Sequence, residues 1–422
     1  MIITPSTIII WFAYLISLYL LTFWLLTLMD KGLVEESKSL KNIMAVTVAI
    51  PVYNEEKNVR ETIESVLSLD YPNEKIEIIA VNDGSTDNTE KVIKNIIAEN
   101  PGRQIKLITQ KNKGKGAALN QALKVAKGEL FTCLDADSFV EESALKQMVP
   151  YFEDASIGVV LPLMKVKDPK GFLQKIQWCE YLLNLFYKGI MGKIDCVHVA
   201  PGPFSVYRKK ALLEVNGFAE NNLTEDFEIS LKLQEKNYRL MQLLGPQVYT
   251  IAPNTLKGFY KQRNRWYKGT MINLFDYKRL IFNKKYGDFG LIQLPRILIS
   301  GFLAVALLIL IGYKFIIKPS FKWVYDLLFV KFDIVYFFKE WLANFMANLT
   351  IFDINYTNLF LAAVSIIISV LVIRLSFYYT REKYTKYGVI TIPAYMALYG
   401  IMASFVWLGV FIEMILGKNQ KW

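Results

Sequence analysis

The sequence predicts an α/β domain built on a mainly parallel central sheet and accompanied by about four transmembrane helices. Three observations carry this expectation. Apolar residues make up 53% of the chain but concentrate at its two ends. Between the ends, short β-branched runs alternate with amphipathic stretches, the pattern of strands and helices in turn. Turn-forming and acidic residues cluster just behind the strand candidates, where open α/β sheets bind their ligands.

The first element, Ile8 to Met29, is an uninterrupted apolar run without charge. At the helical rise it is long enough for a hydrocarbon core of roughly 30 Å. No basic residue precedes it and no small-x-small cleavage site follows, so it reads as a retained anchor within an N-terminal segment 1–41. A domain over 42–285 comes next. Its strand candidates are Ala45–Ile50, Ile76–Val81, Ile105–Thr109 and Leu130–Leu134. Helix starts are expected at Asp87 followed by Glu90 and at Ser138 followed by Glu141. The rest, 286–422, holds three more apolar runs: Ile297–Ile317, Leu359–Tyr378 and Ile390–Leu416. Arg296, Lys314 and Arg374 at or within these runs can snorkel.

Phe321–Phe345 is aromatic but carries Lys322, Asp326, Lys331, Asp333, Lys339 and Glu340, so an interfacial or re-entrant helix is expected there, within an external loop over about 318–357. The basic loop with Arg381, Lys383 and Lys386 reads as cytoplasmic, which places the central domain inside the cell membrane and both termini outside. Sequons at Asn348 and Asn355 agree with that topology; a third, at Asn222, does not.

A net charge of +11 suits an anionic partner such as a phospholipid surface or a phosphorylated substrate. Nucleic acid is disfavoured, because the basic residues lie next to the membrane runs and no recognition module is present. Cys133, Cys179 and Cys196 show no C-x-x-C spacing and His198 is the single histidine, which argues against a zinc site or a disulfide framework. His198 is assigned no role.

Three strand ends are loaded with polar groups: Tyr53-Asn54-Glu55, Asn82-Asp83-Gly84-Ser85 and Asp135-Ala136-Asp137. Each also suits ordinary turns and caps. Asp135 and Asp137, however, offer two hard oxygen ligands two residues apart, suited to Mg²⁺ or Mn²⁺ with substrate phosphates completing the shell. Lys113-Gly114-Lys115-Gly116 offers cations and backbone amides to phosphate, and neither a dinucleotide fingerprint nor a Walker loop fits it. Thr224-Glu225-Asp226 opens a helical stretch with Thr224 as N-cap. The helix dipole lowers the Asp226 pKa while burial raises it, and composition leaves the net direction open. Gln262-Arg263-Asn264-Arg265-Trp266 puts Gln262, Arg265 and Trp266 on one helical face, an arginine fork beside an aromatic plane. The same string also suits an interfacial helix. Ala200-Pro201-Gly202-Pro203-Phe204 permits close backbone approach to a pocket.

In this order the motifs resemble the processive family-2 glycosyltransferases, which include cellulose, chitin, hyaluronan and poly-N-acetylglucosamine synthases; the likeness covers about Val46 to Gly269. The resemblance implies a GT-A nucleotide-sugar-binding fold in which Tyr53, Glu55, Asp83, Lys115 and Asp135 contact the nucleotide sugar. It also implies that Asp137, helped by Asp135, holds the metal. Asp226, beside Glu225, becomes the general base of an inverting transfer, and Gln262, Arg265 and Trp266 position the diphosphate and the acceptor. The donor is then a nucleotide sugar, UDP-linked by the resemblance, and the acceptor a glycan or lipid-linked group, giving a β-linked polysaccharide or oligosaccharide. Single addition to a lipid or protein acceptor is the alternative. The cellulose synthase acceptor motif Phe-Phe-Cys-Gly-Thr is replaced here by Pro201-Gly202-Pro203-Phe204-Ser205.

Overall fold

The structure is a computed structural model that describes residues 5–31, 33, 38–347, 356–387 and 389–417. Sequons Asn348 and Asn355 lie outside the described residues. Eight strands form one sheet: β1 (Val46–Val52), β2 (Ile76–Asn82), β3 (Gln104–Thr109), β4 (Leu130–Cys133), β5 (Ser138–Val140), β6 (Ile157–Val166), β7 (Val206–Arg208) and β8 (Arg239–Thr250). Their spatial order is β3-β2-β1-β4-β7-β6-β8-β5. The pairings of β1 with β2 and β4, β2 with β3, and β6 with β8 are parallel. Those of β4 and β6 with β7, and of β5 with β8, are antiparallel. The sheet is mixed and mostly parallel.

The helices are α1 (Pro5–Lys31), α2 (Val59–Leu67), α3 (Thr89–Glu99), α4 (Lys115–Val125), α5 (Ala144–Met148), α6 (Phe172–Gly192), α7 (Lys209–Glu214), α8 (Glu225–Glu235) and α9 (Leu256–Asp276). The C-terminal part adds α10 (Leu294–Gly312), α11 (Lys318–Phe329), α12 (Ile334–Ala347), α13 (Tyr356–Tyr379), α14 (Thr391–Ala394) and α15 (Gly400–Ile415). Among the described residues, four helical segments are long and apolar enough to cross a membrane: Thr7–Asp30, Phe289–Phe329, Leu359–Tyr379 and Thr391–Ile415.

The four strand candidates became β1 to β4: both faces of β1, β2 and β4 are covered, and β3 pairs along β2 as the partly exposed edge. Val46, Val48, Ile50 and Val52 pack with Val59, Ile63 and Val66 of α2 and Ile93 and Ile96 of α3. Ala49, Ile79 and Val81 pack on the other face with Ala118, Leu119 and Ala122 of α4. Two-sided burial selects continuous β-branched runs, and each large side chain so buried contributes about 1.5–3 kcal/mol.

Ser138 departs from expectation. It opens β5, paired with Thr250, and does not cap a helix. The ladder continues where the Glu141 amide donates to the Gln247 carbonyl at 3.1 Å, so pairing with β8 prevails over the local capping pattern. At the other expected helix start, Asn88 takes the cap position and Asp87 accepts the Thr89 amide at 3.0 Å. The stretch Phe321–Phe345 forms the two largely exposed helices α11 and α12, parted by a turn in which Lys331 and Phe332 have positive φ.

Specific contacts fasten the central domain to the C-terminal helices. Tyr267 of α9 stacks on Trp407 of α15 with ring centroids 4.5 Å apart. Asn264 and Lys268 reach the Glu413 carboxylate on α15 at 3.1 and 3.2 Å, which gives that apolar helix a partner for its acid. Lys165 on β6 is buried against the Thr380 carbonyl (2.9 Å) and Glu382 (3.1 Å) in the segment between α13 and α14.

Candidate active site

The site forms where the carboxyl ends of β1, β2 and β4 meet α4, α8 and α9. Parallel strands deliver their polar successors to one edge, so residues far apart in sequence converge there. The two outer loops are tied first. Asn54, at φ 54°, donates its amide to Ser85 Oγ (3.0 Å), and its side-chain oxygen accepts the Thr86 amide (2.8 Å). Gly84, at φ +79°, has no room for a side chain: a Cβ there would stand 2.8 Å from the Asn112 amide nitrogen. Tyr53 remains half exposed. Glu55 accepts from Asn58 Nδ2 at 2.8 Å.

Asp83 is buried, and its carboxylate accepts Gln110 Nε2 (2.6 Å), the Lys113 amide (2.9 Å) and the Gly114 amide (2.8 Å). Those two amides were expected to face phosphate. Here Asp83 takes them and so shapes the turn that presents Lys115, which starts α4.

Lys115 is the hub. Its ammonium lies 2.6 Å from Asp135 Oδ1 and 3.0 Å from Glu225 Oε1, joining the end of β4 to the start of α8. Burial works against the charged form, but Asp135 and Glu225 outweigh it and hold the Lys115 pKa well above the lysine range. Gly202 passes directly beneath: a Cβ on it would stand 2.5 Å from Lys115 Nζ and 3.1 Å from Asp135 Oδ2. The expected close backbone approach is present at this glycine.

Burial, followed by the charges of Asp135 and Glu55, pushes the Asp137 carboxyl up to about 6. Asp226 is also pushed up to about 6, by burial first and then by Glu225, against the opposing pull of Lys115 and Arg265. Burial thus prevails over the neighbouring cations and the Phe227 amide, and Asp226 becomes a better base than an ordinary aspartate. Thr224 occupies the cap position of α8, but its hydroxyl accepts from Asn273 Nδ2 (3.0 Å) on α9 and not from the helix. Gly269 permits this closeness, since a Cβ there would clash with Thr224 Oγ1 at 2.4 Å.

Two carboxylates on one short loop, one of them with a raised pKa and beside a like charge, fit a divalent cation that also draws ligands from substrate phosphates. No cluster of three or more His, Cys, Asp or Glu side chains suited to a metal occurs among the described residues.

On α9, Arg265 donates to the Leu223 carbonyl at 3.2 Å and its charge reaches Asp226. Gln262 and Trp266 instead group around Arg263, which is fully buried. The geometry therefore joins Lys115, Asp135, Asp137, Glu225, Asp226 and Arg265, flanks them with Glu55 and Asp83, and sets Gln262 and Trp266 on the adjoining stretch of α9.

Sequence reasoning missed Arg263, its partner Glu180 and Lys188. An acid inside the largely apolar α6 was the available signal for Glu180. Lys188, also on α6, is brought down to about 8 by burial, opposed by the charge of Asp226. His198 is packed as expected, with Nδ1 2.7 Å from Gln293 Nε2; burial, Arg296 and Lys188 hold its pKa well below the usual range. The Asn222 amide group is engaged with Asn273 (2.6 Å) and with the Thr224 amide (2.9 Å).

Comparison with known proteins matches the same region. The profile of Glycosyl transferase family 2 fits residues 47–215. Over 226 residues the chain is 34% identical to the poly-beta-1,6-N-acetyl-D-glucosamine synthase of Staphylococcus aureus (strain COL), which covers 53% of this chain and 54% of the relative. The Staphylococcus epidermidis synthase of the same name (strain ATCC 35984) is 31% identical over 231 residues, 54% of this chain and 55% of its own. The chain thus spans about half the length of the curated relatives it matches. Mannosyltransferase PcManGT from Pyrobaculum calidifontis, solved in complex with GDP-Man and Mn2+, superposes over 97% of this chain and 96% of its own, with a TM-score of 0.62 at 18% identity. That likeness extends the fold to nearly the whole chain. With the strand-end motifs and the Lys115 hub in place, residues 47–215 match the family-2 glycosyltransferase model, within a chain of GT-A-like fold that includes four helices suited to a membrane.

Proposed function

We propose that this protein is an inverting hexosyltransferase of the cell membrane that extends a β-linked polysaccharide or oligosaccharide from a nucleotide-activated sugar, UDP-linked by the resemblance its motifs carry. The observation that carries the reading is the convergence of Asp135 and Glu225 on Lys115, which puts the acid pair at the β4 end beside the carboxylate at the start of α8. Asp226, with its pKa brought up to about 6, is ionised at neutral pH yet basic enough to accept a proton. It takes the proton of the acceptor hydroxyl as that oxygen attacks the anomeric carbon. The bond to the nucleoside diphosphate breaks on the opposite face, and the configuration inverts.

Tyr53, Glu55 and Asp83 line the nucleotide side, and Lys115 sets the spacing between Asp135 and Glu225. Asp135 and Asp137 would hold Mg²⁺ or Mn²⁺, whose charge offsets the negative charge that builds on the departing diphosphate. Gln262, Arg265 and Trp266 face the diphosphate and the acceptor sugar. Contact of Lys165 with Thr380 and Glu382 keeps the basic loop on the same side as the catalytic domain, which supports the cytoplasmic placement inferred from positive charge.

The test is transfer by the full chain in detergent or membranes, with a panel of radiolabelled nucleotide sugars and Mg²⁺ or Mn²⁺. A ladder or polymer from one donor supports the reading. One discrete product transfers the protein to the single-addition class on a lipid or protein acceptor. No nucleotide release from any donor overturns it.

A further inference from the structure

The arginine of α9 that the structure buries is not the one that faces Asp226. Arg263 has no exposed surface, whereas Arg265 is partly open beside the Leu223 carbonyl. The Arg263 guanidinium distributes its donors over two partners. Nη2 lies 2.5 Å from Glu180 Oε2 on α6, and Nη1 donates to Gln262 Oε1 at 2.7 Å. Its plane sits over the Trp266 ring, 4.2 Å from the centroid, with the Phe259 ring 5.1 Å away.

A guanidinium donates and never accepts. The Gln262 carbonyl oxygen must therefore turn toward Arg263, and the amide –NH₂ is left for the site. Cation–π contact likewise occupies one face of the Trp266 indole. Glu180 holds the guanidinium from the far side, and the Tyr399 hydroxyl in the π-helical turn Tyr395–Tyr399 lies beside that carboxylate.

We propose that Arg263, anchored by Glu180, is a positioning residue: it fixes Gln262 as an obligate hydrogen-bond donor toward the transferred group and leaves Trp266 a single face for a sugar ring. This rests on the glycosyltransferase reading given above. A Gln262 free to flip would present donor and acceptor alternately, and an indole without its cation would lose its set against α6.

The test uses the full-length protein. Arg263→Lys keeps a cation for Glu180 but cannot fork to Gln262. It is expected to keep the wild-type melting temperature within a few degrees and wild-type nucleotide binding, while the acceptor KM rises and transfer falls about 10–100-fold, the loss of a charge-assisted contact. Arg263→Met is expected to lose more, so that lysine gives partial rescue. Wild-type acceptor KM and rate in a folded Arg263→Lys overturn the proposal.

Should that variant fail to fold, Gln262→Glu decides with Arg263 intact. Its carboxylate still pairs with the guanidinium but offers no donor, so a folded protein with transfer reduced about 10–100-fold is expected. Full activity in Gln262→Glu overturns the donor assignment. Failure of the parent reading looks different, because the unmodified chain then releases no nucleotide from any donor.

Discussion

The two charged clusters of this protein, only a few helices apart, are built on opposite rules. Around Arg263 the account is balanced: one guanidinium meets one carboxylate, Glu180, and aromatic rings close over them. Around Lys115 it is not. Asp135 and Glu225 share a single ammonium, while Asp137 and Asp226 stand close by with raised pKa values. Matched charges rigidify, whereas surplus negative charge under partial burial is unfavourable unless a cation or a proton relieves it. The surplus therefore falls at the proposed reaction site, and the balanced pair at the proposed support for its neighbours.

The sharpest way to break this contrast is Asp226→Asn. Transfer is expected to fall by about 10²–10⁴-fold, with nucleotide binding by titration calorimetry nearly unchanged. Retained transfer places the base elsewhere.

Lys115→Met comes next, because it leaves Asp135 and Glu225 without their shared cation. A loss of about 3 kcal/mol in stability is expected by denaturant unfolding, together with weaker nucleotide binding. A variant as stable as the wild type would show that the hub is dispensable.

The pH dependence sharpens the comparison. A base near 6 makes the transfer rate fall about tenfold per unit as pH drops below that value. For stability the sign is reversed. Carboxyls raised in the folded state add stability at low pH, and this is lost as pH rises through about 6. Asp137→Asn should therefore gain stability over the wild type as pH goes from 5 to 7, by about 1 kcal/mol, without metal present. An equal difference at both pH values counts against a raised Asp137.

Gly202→Ala tests the approach of the backbone to Lys115 and Asp135. About a tenfold loss of transfer with little change in melting temperature is expected, since the flexible lysine end gives way first. The smallest effect belongs to Glu413→Gln, which weakens the ties from Asn264 and Lys268. About 1 kcal/mol of stability is at stake, with activity largely retained.

Legibility followed the physics of each region. The strands β1 and β2 were readable because burial on both faces demands β-branched runs, and the partly exposed edge strand β3 because its apolar and polar residues alternate. By contrast β5 and β7 are three residues long and β8 contains Gly245 and Pro246, so their pairings draw on partners distant in sequence, from Val159↔Tyr207 to Ser138↔Thr250. Ser138 looked like a helix cap for the same reason: the local pattern carries no trace of Thr250. In α9 the string Gln262–Trp266 stood out, but nothing local separates a buried Arg263 from a partly open Arg265.

By itself the sequence determined the α/β class, the membrane-crossing runs and the chemical types gathered behind the strand ends, because periodicity and composition are local properties of a chain. Tertiary structure alone decided that Lys115 joins Asp135 to Glu225, that Asp226 gains basicity, and that Arg263 is the buried arginine. Each of those depends on how far groups distant in sequence are removed from water and set beside one another, which only the folded chain specifies.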